Sequence, residues 1–183
     1  QEEALTMSDR IAVMNKGYLD QLDTPRNIYE KPATRFVADF IGETNLFEAT
    51  VSQCERDTVS FGLECGTVQG LRETGAAYEP LEMVHLSVRN EKMLFSTKAS
   101  PEGFDLQGVV QEQIYIGNVI KTLVILANGQ IVKLSRMDID QCPRVGEVVQ
   151  LYWDLEDVVI MKTREHQIHT MIENVDLGGE QYE

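Results

Sequence analysis

The spacing of hydrophobic and polar positions changes its rhythm once along the chain, at about residue 44. Before that point helical and strand periods alternate. Ala4, Leu5 and Ser8 fall on one helical face, with nothing ahead of them to cap the turn. "RIAVMN" reads as a short apolar strand, and Asn15-Lys16-Gly17 as a turn into "YLDQLD". In "DTPRNIYEKP", Thr24 is placed to cap a helix whose first residue is Pro25, where a missing N–H costs nothing. Pro32 ends that helix. Phe36, Val37, Phe40 and Ile41 then form a second helical stripe, stopped by Gly42.

Beyond Thr44 the period shortens to that of strands. "LFEATVSQ", "TVSFGLE", "GEVVQLYW" and "DVVIMK" are strand-length, and "MVHLSV" alternates cleanly through Val84, Leu86 and Val88. "CGTVQGLRE" is punctuated by glycine. "GNVIKTLVILANGQIVKLSR" holds two β-rich runs joined by Asn128-Gly129, the pair favoured in a type I′ hairpin turn. Polar "STKASPEGFD" reads as a link between two groups of strands. Val148, Val149, Leu151 and Trp153 lie close together on one strand, so Trp153 is expected to be at least partly buried. Many short strands with Gly or Asp turns imply a small barrel or sandwich. Three divisions follow: a short α/β front at 1–43, a β domain at 44–163, and a polar tail at 164–183 that is expected to be partly disordered.

Composition narrows the function classes. The 183 residues carry a formal net charge of −14, a surface that phosphate backbones repel, so general nucleic-acid binding is disfavoured. The acidity reads as a solvated surface, with a cationic ligand as the sharper alternative. No apolar run approaches the roughly 20 residues that span a bilayer. Cys54, Cys65 and Cys142 are widely spaced and odd in number, which argues against a disulfide framework or a zinc site and fits a reducing compartment. His166 and His169 sit three apart in "EHQIHTM" without further ligands nearby.

The first forty or so residues, "QEEALTMSDRIAVMNKGYLDQLDTPRNIYEKPATRFVADFIG", resemble the segment that follows the switch histidine in import-type ABC transporter ATPase subunits. Gln1-Glu2-Glu3-Ala4 match the start of that helix, and the histidine itself is absent. No initiator Met or signal peptide precedes them, so the chain is expected to continue a longer protein. The remainder, in "GETNLFEATV", "VHLSVRNEK", "GVVQEQIYIGN" and "GEVVQLYWDLEDVVIM", is similar to the transport-associated OB (TOBE) domain of such subunits. The combination looks most like ATPases of spermidine/putrescine importers, with ferric-iron importers next. Where that family has Arg-Pro-Glu, this chain has Arg89-Asn90-Glu91.

The resemblance implies a mainly β, OB-like small barrel preceded by a short remnant of the ABC ATPase domain. It implies a regulatory and dimerising role, a homodimer, permease subunits as partners, and a place on the inner face of the membrane only through that permease. ATP and magnesium are implied for the longer protein, and no cofactor for this stretch. Phosphoryl transfer needs a Gly-rich loop with its Lys, and no Gly-Lys dipeptide occurs. "LGGE" at Leu177–Glu180 is a faint echo of the family signature in the wrong place, and Asp154 merely ends an apolar run. Glu112, Asp138 and Asp140 are carboxylates expected by chance in so acidic a chain. No catalytic constellation is read, and no nucleotide or metal site.

Candidates for ligand or interface work are Arg89, Glu91, Tyr115 and Asn118. Arg89 either neutralises an acidic neighbour or faces a dimer partner. "YIGN" at Tyr115–Asn118 either lines a barrel groove or ends a strand, with Gly117 allowing a bulge. Two other functions compete with the transport reading: a sensor of a small oxyanion or cation, and an OB-fold nucleic-acid binder.

Overall fold

In the computed structural model, which describes residues 2–138, 140 and 142–162, helix α1 (Glu2–Met7) precedes a hairpin of β1 (Ile11–Asn15) and β2 (Tyr18–Asp23). Asn15 pairs with Tyr18 across Lys16 and Gly17, whose φ values of 49° and 87° are both positive. That is the pattern of a type I′ turn, whose twist matches the strands it joins.

Helices α2 (Pro25–Glu30) and α3 (Arg35–Ile41) follow. Thr24 Oγ1 accepts the Asn27 N–H at 3.3 Å and Thr34 Oγ1 the Val37 N–H at 3.2 Å, so each helix starts on a side-chain cap. Val13, Ile28, Val37 and Ile41 form a small core under these elements, with Leu5, Ile11 and Phe36 packed against it. Phe40 lies outside that core, half-exposed and stacked on Phe36. Gly42 does end α3, but not as a left-handed cap: its φ of 170° and ψ of 172° are extended. Its lack of a side chain matters instead, because a Cβ there would stand 3.2 Å from Arg89 Nη1 and 3.4 Å from the Tyr29 ring.

The rest is antiparallel β structure: β3 (Thr44–Cys54), β4 (Thr58–Leu63), β5 (Gly66–Leu71), β6 (Met83–Arg89), β7 (Leu94–Ser96), β8 (Asp105–Ile116), β9 (Val119–Leu126), β10 (Ile131–Arg136), β11 (Val148–Tyr152) and β12 (Val158–Lys162). The strands run β10-β9-β8-β5-β4-β3-β6-β12, and β11 bridges β8 and β7. Alternation puts one face of each long strand inward; in β9 the inward set is Ile120, Thr122, Val124 and Leu126. The shared core includes Phe47, Phe61, Leu86, Leu106 and Leu151, and Trp153 is buried at 2% exposure, as expected. Strands β3 and β10 are brought together by side-chain amides. The Asn45 amide donates to the Lys133 carbonyl and accepts the Lys133 N–H, both at 2.8 Å, and Gln130 Nε2 donates to the Leu46 carbonyl at 2.7 Å. Asn45 thus behaves toward β10 as a peptide group would, and the curved sheet closes on itself as an OB-like barrel.

Two local expectations are corrected. The β9–β10 connection is not a type I′ turn, since Gly129 has positive φ (84°) and Asn128 does not. The Gly129 N–H donates to the Leu126 carbonyl at 3.0 Å, and Leu126 N–H to the Gln130 carbonyl at 2.9 Å. The loop is one residue longer than a two-residue turn, and glycine takes the left-handed place at its end. Val148 does not join Val149, Leu151 and Trp153 inside. Strand alternation turns it outward, half-exposed.

Candidate functional site

The end of β6 is where the helical front meets the barrel, and Arg89-Asn90-Glu91 occupies it. Arg89 is 9% exposed. Its Nη2 donates to the Tyr29 carbonyl at 2.7 Å and its Nη1 to the Ala38 carbonyl at 3.4 Å. Both acceptors lie in the last turns of short helices, α2 and α3, where carbonyls lack partners of their own and a cation complements the helix dipole. The guanidinium carbon stands 4.2 Å from the centroid of the Tyr29 ring, a cation–π contact. Tyr29 in turn donates its hydroxyl to Glu91 Oε1 at 3.0 Å. Burial pulls the Arg89 pKa down, with Tyr29 and Glu91 opposing it; burial first, and then the Glu91 hydrogen bond, push Tyr29 up.

Asn90 works in the other direction, into the barrel. It is 1% exposed; Nδ2 donates to Glu43 at 3.0 Å, Oδ1 accepts from Asn45 Nδ2 at 3.2 Å, and its carbonyl accepts the Ser135 N–H at 3.0 Å. Proline in this place would supply no side-chain amide, so the departure from Arg-Pro-Glu has a visible use here. Glu43 also takes the Lys121 ammonium, whose hydrogen bond is the main cause holding its carboxyl below the ordinary value. Arg136 closes the turn from β10, donating to the Glu91 carbonyl at 3.0 Å and to the Met93 carbonyl. Three consecutive residues therefore tie together α2, α3, β3 and β10.

Arg89→Ala is expected to cost about 2–3 kcal/mol, because it strands two buried carbonyls and removes the charge-assisted bonds to them. Urea unfolding of the wild type and of Arg89→Ala and Arg89→Lys measures this. Lysine should recover only part of the loss, since one ammonium does not reproduce the two-pronged contact and the ring stacking. An alanine variant as stable as the wild type would show that the joint contributes nothing.

Tyr115 and Asn118 lie elsewhere. They sit at the tip of the β8–β9 ribbon, where Ile116 pairs with Val119 across Gly117 (φ 60°) and Asn118. Tyr115 is 60% exposed and Asn118 is exposed. The bulge in β8 falls between Val110 and Glu112, away from Gly117. Thus Arg89 and Glu91 share one cluster, which Tyr115 and Asn118 do not join. Tyr29, Glu43 and Asn45 complete the cluster and were not singled out from sequence, although they stand within the quoted "IYEKP" and "GETNLFEATV". His166, His169 and Leu177–Glu180 lie outside the described residues.

A cleft of 410 Å³ opens beside the barrel, lined by Arg35, Glu48, Glu64, Asn128 and Gln130 among others. Its polar groups pair with each other or with backbone: Arg35 with Glu48 at 3.0 Å, Asn128 with Glu64 at 3.2 Å. Among the described residues no group of three or more His, Cys, Asp or Glu is arranged to hold a metal ion, and no helix is long and apolar enough to cross a membrane.

Known proteins fit this geometry. Residues 86–161 match the TOBE domain. The chain is 49% identical over 133 residues to the spermidine/putrescine import ATP-binding protein PotA of Roseobacter denitrificans, covering 70% of this chain and 35% of that protein. It is 39% identical over 162 residues to PotA 2 of Pseudomonas aeruginosa, covering 84% of this chain and 44% of the relative. The chain thus spans less than half the length of these curated relatives. Among solved structures, the cytoplasmic molybdate-binding protein ModG, crystallised with molybdate, superposes with a TM-score of 0.55 at 15% identity, over 65% of this chain and 96% of its own. That likeness speaks for the fold alone. Over residues 86–161 the OB-like barrel matches the TOBE domain, and over most of its own length the chain is similar to the ATP-binding proteins of spermidine/putrescine import.

Proposed function

We propose that this chain is the C-terminal, non-catalytic region of the ATP-binding subunit of an ABC importer for a polyamine, spermidine or putrescine. The carrying observation is where the similarity extends. It takes in 84% of the chain in the Pseudomonas relative, whereas the TOBE model takes in residues 86–161 only. The likeness therefore includes part of the helical front as well as the barrel. In this reading the Arg89 joint passes movement between an ATPase domain and the barrel. ATP, magnesium, permease subunits and a second ATP-binding subunit belong to the longer protein, which would sit on the cytoplasmic face of the membrane through its permease. The anion-sensing alternative has little to recommend it here, since the cleft beside the barrel sets Glu48 and Glu64 against a single Arg35.

A chimera tests the reading. The corresponding C-terminal region of the Roseobacter relative is exchanged for this chain, and uptake of labelled spermidine and putrescine is measured in cells lacking their own importer. Uptake within a few-fold of the parent is expected, while titration of the isolated chain with ATP and magnesium releases no saturable heat. A chimera that assembles with its permease and hydrolyses ATP but imports neither polyamine would overturn the assignment.

A further inference from the structure

Alternation leaves every second residue of a half-solvated antiparallel strand facing water, and those positions are ordinarily polar. The outer face of β8 to β11 breaks that pattern along one line. Val148 of β11 lies opposite Val109 of β8, Val109 opposite Ile125 of β9, and Ile125 opposite Ile131 of β10. Directly opposed residues share a face, so four β-branched side chains form one continuous row across four strands. Val109, Ile131 and Val148 are 41%, 44% and 52% exposed, and Ile125 is half-buried between them. With strands about 4.8 Å apart, the row is roughly 14 Å long. The core takes nothing from it, being filled from the other face by Val110, Val124, Val132 and Val149.

The next row along the strands says what fits there. Glu112 of β8 and Lys133 of β10 flank Leu123 of β9, the pairing partner of both. Glu112 and Lys133 are exposed. Glu43 feels the Lys133 charge, but its hydrogen bond goes to Lys121. Both rows are therefore apolar at β9, and the second carries opposite charges one strand away on either side. A two-fold axis along β9 lays Ile125 and Leu123 on the same residues of a second copy. It also lays Val109 on Ile131 of that copy and Glu112 on its Lys133, each contact occurring twice. A purely basic or purely acidic partner would match one of these charges and repel the other. A second copy of this face matches both.

We propose that two copies of this chain associate face to face through the outer surface of β8, β9 and β10, with the two-fold axis along β9. Stacked sheets pack about 10 Å apart with their side chains interdigitated, which short β-branched rows allow. The patch is small beside the interfaces of permanent assemblies, so the dimer forms and dissociates with concentration. The proposal rests on the barrel surface and does not depend on the transport reading.

Sedimentation equilibrium of the full chain, from low to high micromolar concentration, tests this. A reversible monomer–dimer equilibrium is expected, and monomer mass throughout would overturn the proposal. Glu112→Lys and Lys133→Glu should each weaken association about ten-fold or more, because each turns two attractions into two repulsions. The double reversal should restore most of the loss. Within one chain the two residues stand two strands apart, so coupling inside the chain does not imitate that rescue. Ile131→Thr, which keeps a β-branched residue on the strand, should also weaken association while leaving the melting temperature of the dilute monomer unchanged. Association untouched by Ile131→Thr or by the single reversals, or not restored by the double reversal, would overturn the proposal.

Discussion

Trp153→Ala is expected to lower the free energy of unfolding by about 4 kcal/mol, the range for removing a large aromatic from a packed core. Trp153 is 2% exposed and sits where three parts of the barrel meet. Its ring lies 5.7 Å from Phe47 of β3 and 5.2 Å, edge to face, from Phe104 ahead of β8. Its Nε1 donates to the Gln69 carbonyl of β5 at 2.9 Å. Alanine would leave a cavity between these strands and a carbonyl without a partner, and neither neighbouring strand is free to collapse inward. Trp153→Phe separates the two effects. It retains most of the apolar contact but not the donor, so its loss should be nearer 1–2 kcal/mol. Because Trp153 is the only tryptophan, urea unfolding must be followed by circular dichroism instead of indole emission. An alanine variant within about 1 kcal/mol of the wild type would mean that the core closes over the gap, contrary to close-packed behaviour.

How far the sequence foretold this structure depends on the range of each interaction. Strand β9 alternates through eight residues, and both short helices carry a threonine cap and a Pro or Arg start; each signal is complete within a few positions of itself. Val148 was misread for a local reason, since proximity to Val149 and Leu151 says nothing of face unless the period of two is applied strictly. The three-residue β7 has too few positions to show any period, and it exists because β11 offers it a partner. Arg89 was legible as a cation that either neutralises an acidic neighbour or faces a dimer partner, but its acceptors Tyr29 and Ala38 are 60 and 51 positions away. A carbonyl carries no mark in sequence, so the joint becomes visible only when the helices are in place. Asn45 is the sharper case. An asparagine inside an apolar strand reads as a weakness in the pattern, yet here its amide replaces the peptide that would otherwise join β3 to β10.

Gly66→Ala is the second change expected to have a large effect, and it acts on the seam between the two halves of the barrel. Strand β5 meets β8 through only two pairs, Gly66 with Leu106 and Thr67 with Asp105. Along the sheet path this short ladder alone connects β4, β3, β6 and β12 to β9 and β10. A Cβ built on Gly66 would stand 1.9 Å from the Asp105 carbonyl oxygen and 3.0 Å from its carbon. Those are backbone atoms of a paired strand, so no side chain can swing aside, and relief requires β5 and β8 to part. Overpacking of this kind costs about 3 kcal/mol, which for a chain of this size corresponds to roughly 6–12 °C in melting temperature. Gly62→Ala is the matching control. It lies one strand away on β4, and its nearest contact would be the Thr50 carbonyl at 3.9 Å, ordinary van der Waals distance. Calorimetric scans should therefore separate the two variants clearly, with Gly62→Ala near the wild type. Amide exchange should report the loss in Gly66→Ala first at Thr67 and Leu106, before the rest of β8 opens. If both alanine variants melt together, the close approach at Gly66 does not hold the barrel halves in register, and closure rests on the Asn45 and Gln130 amides alone.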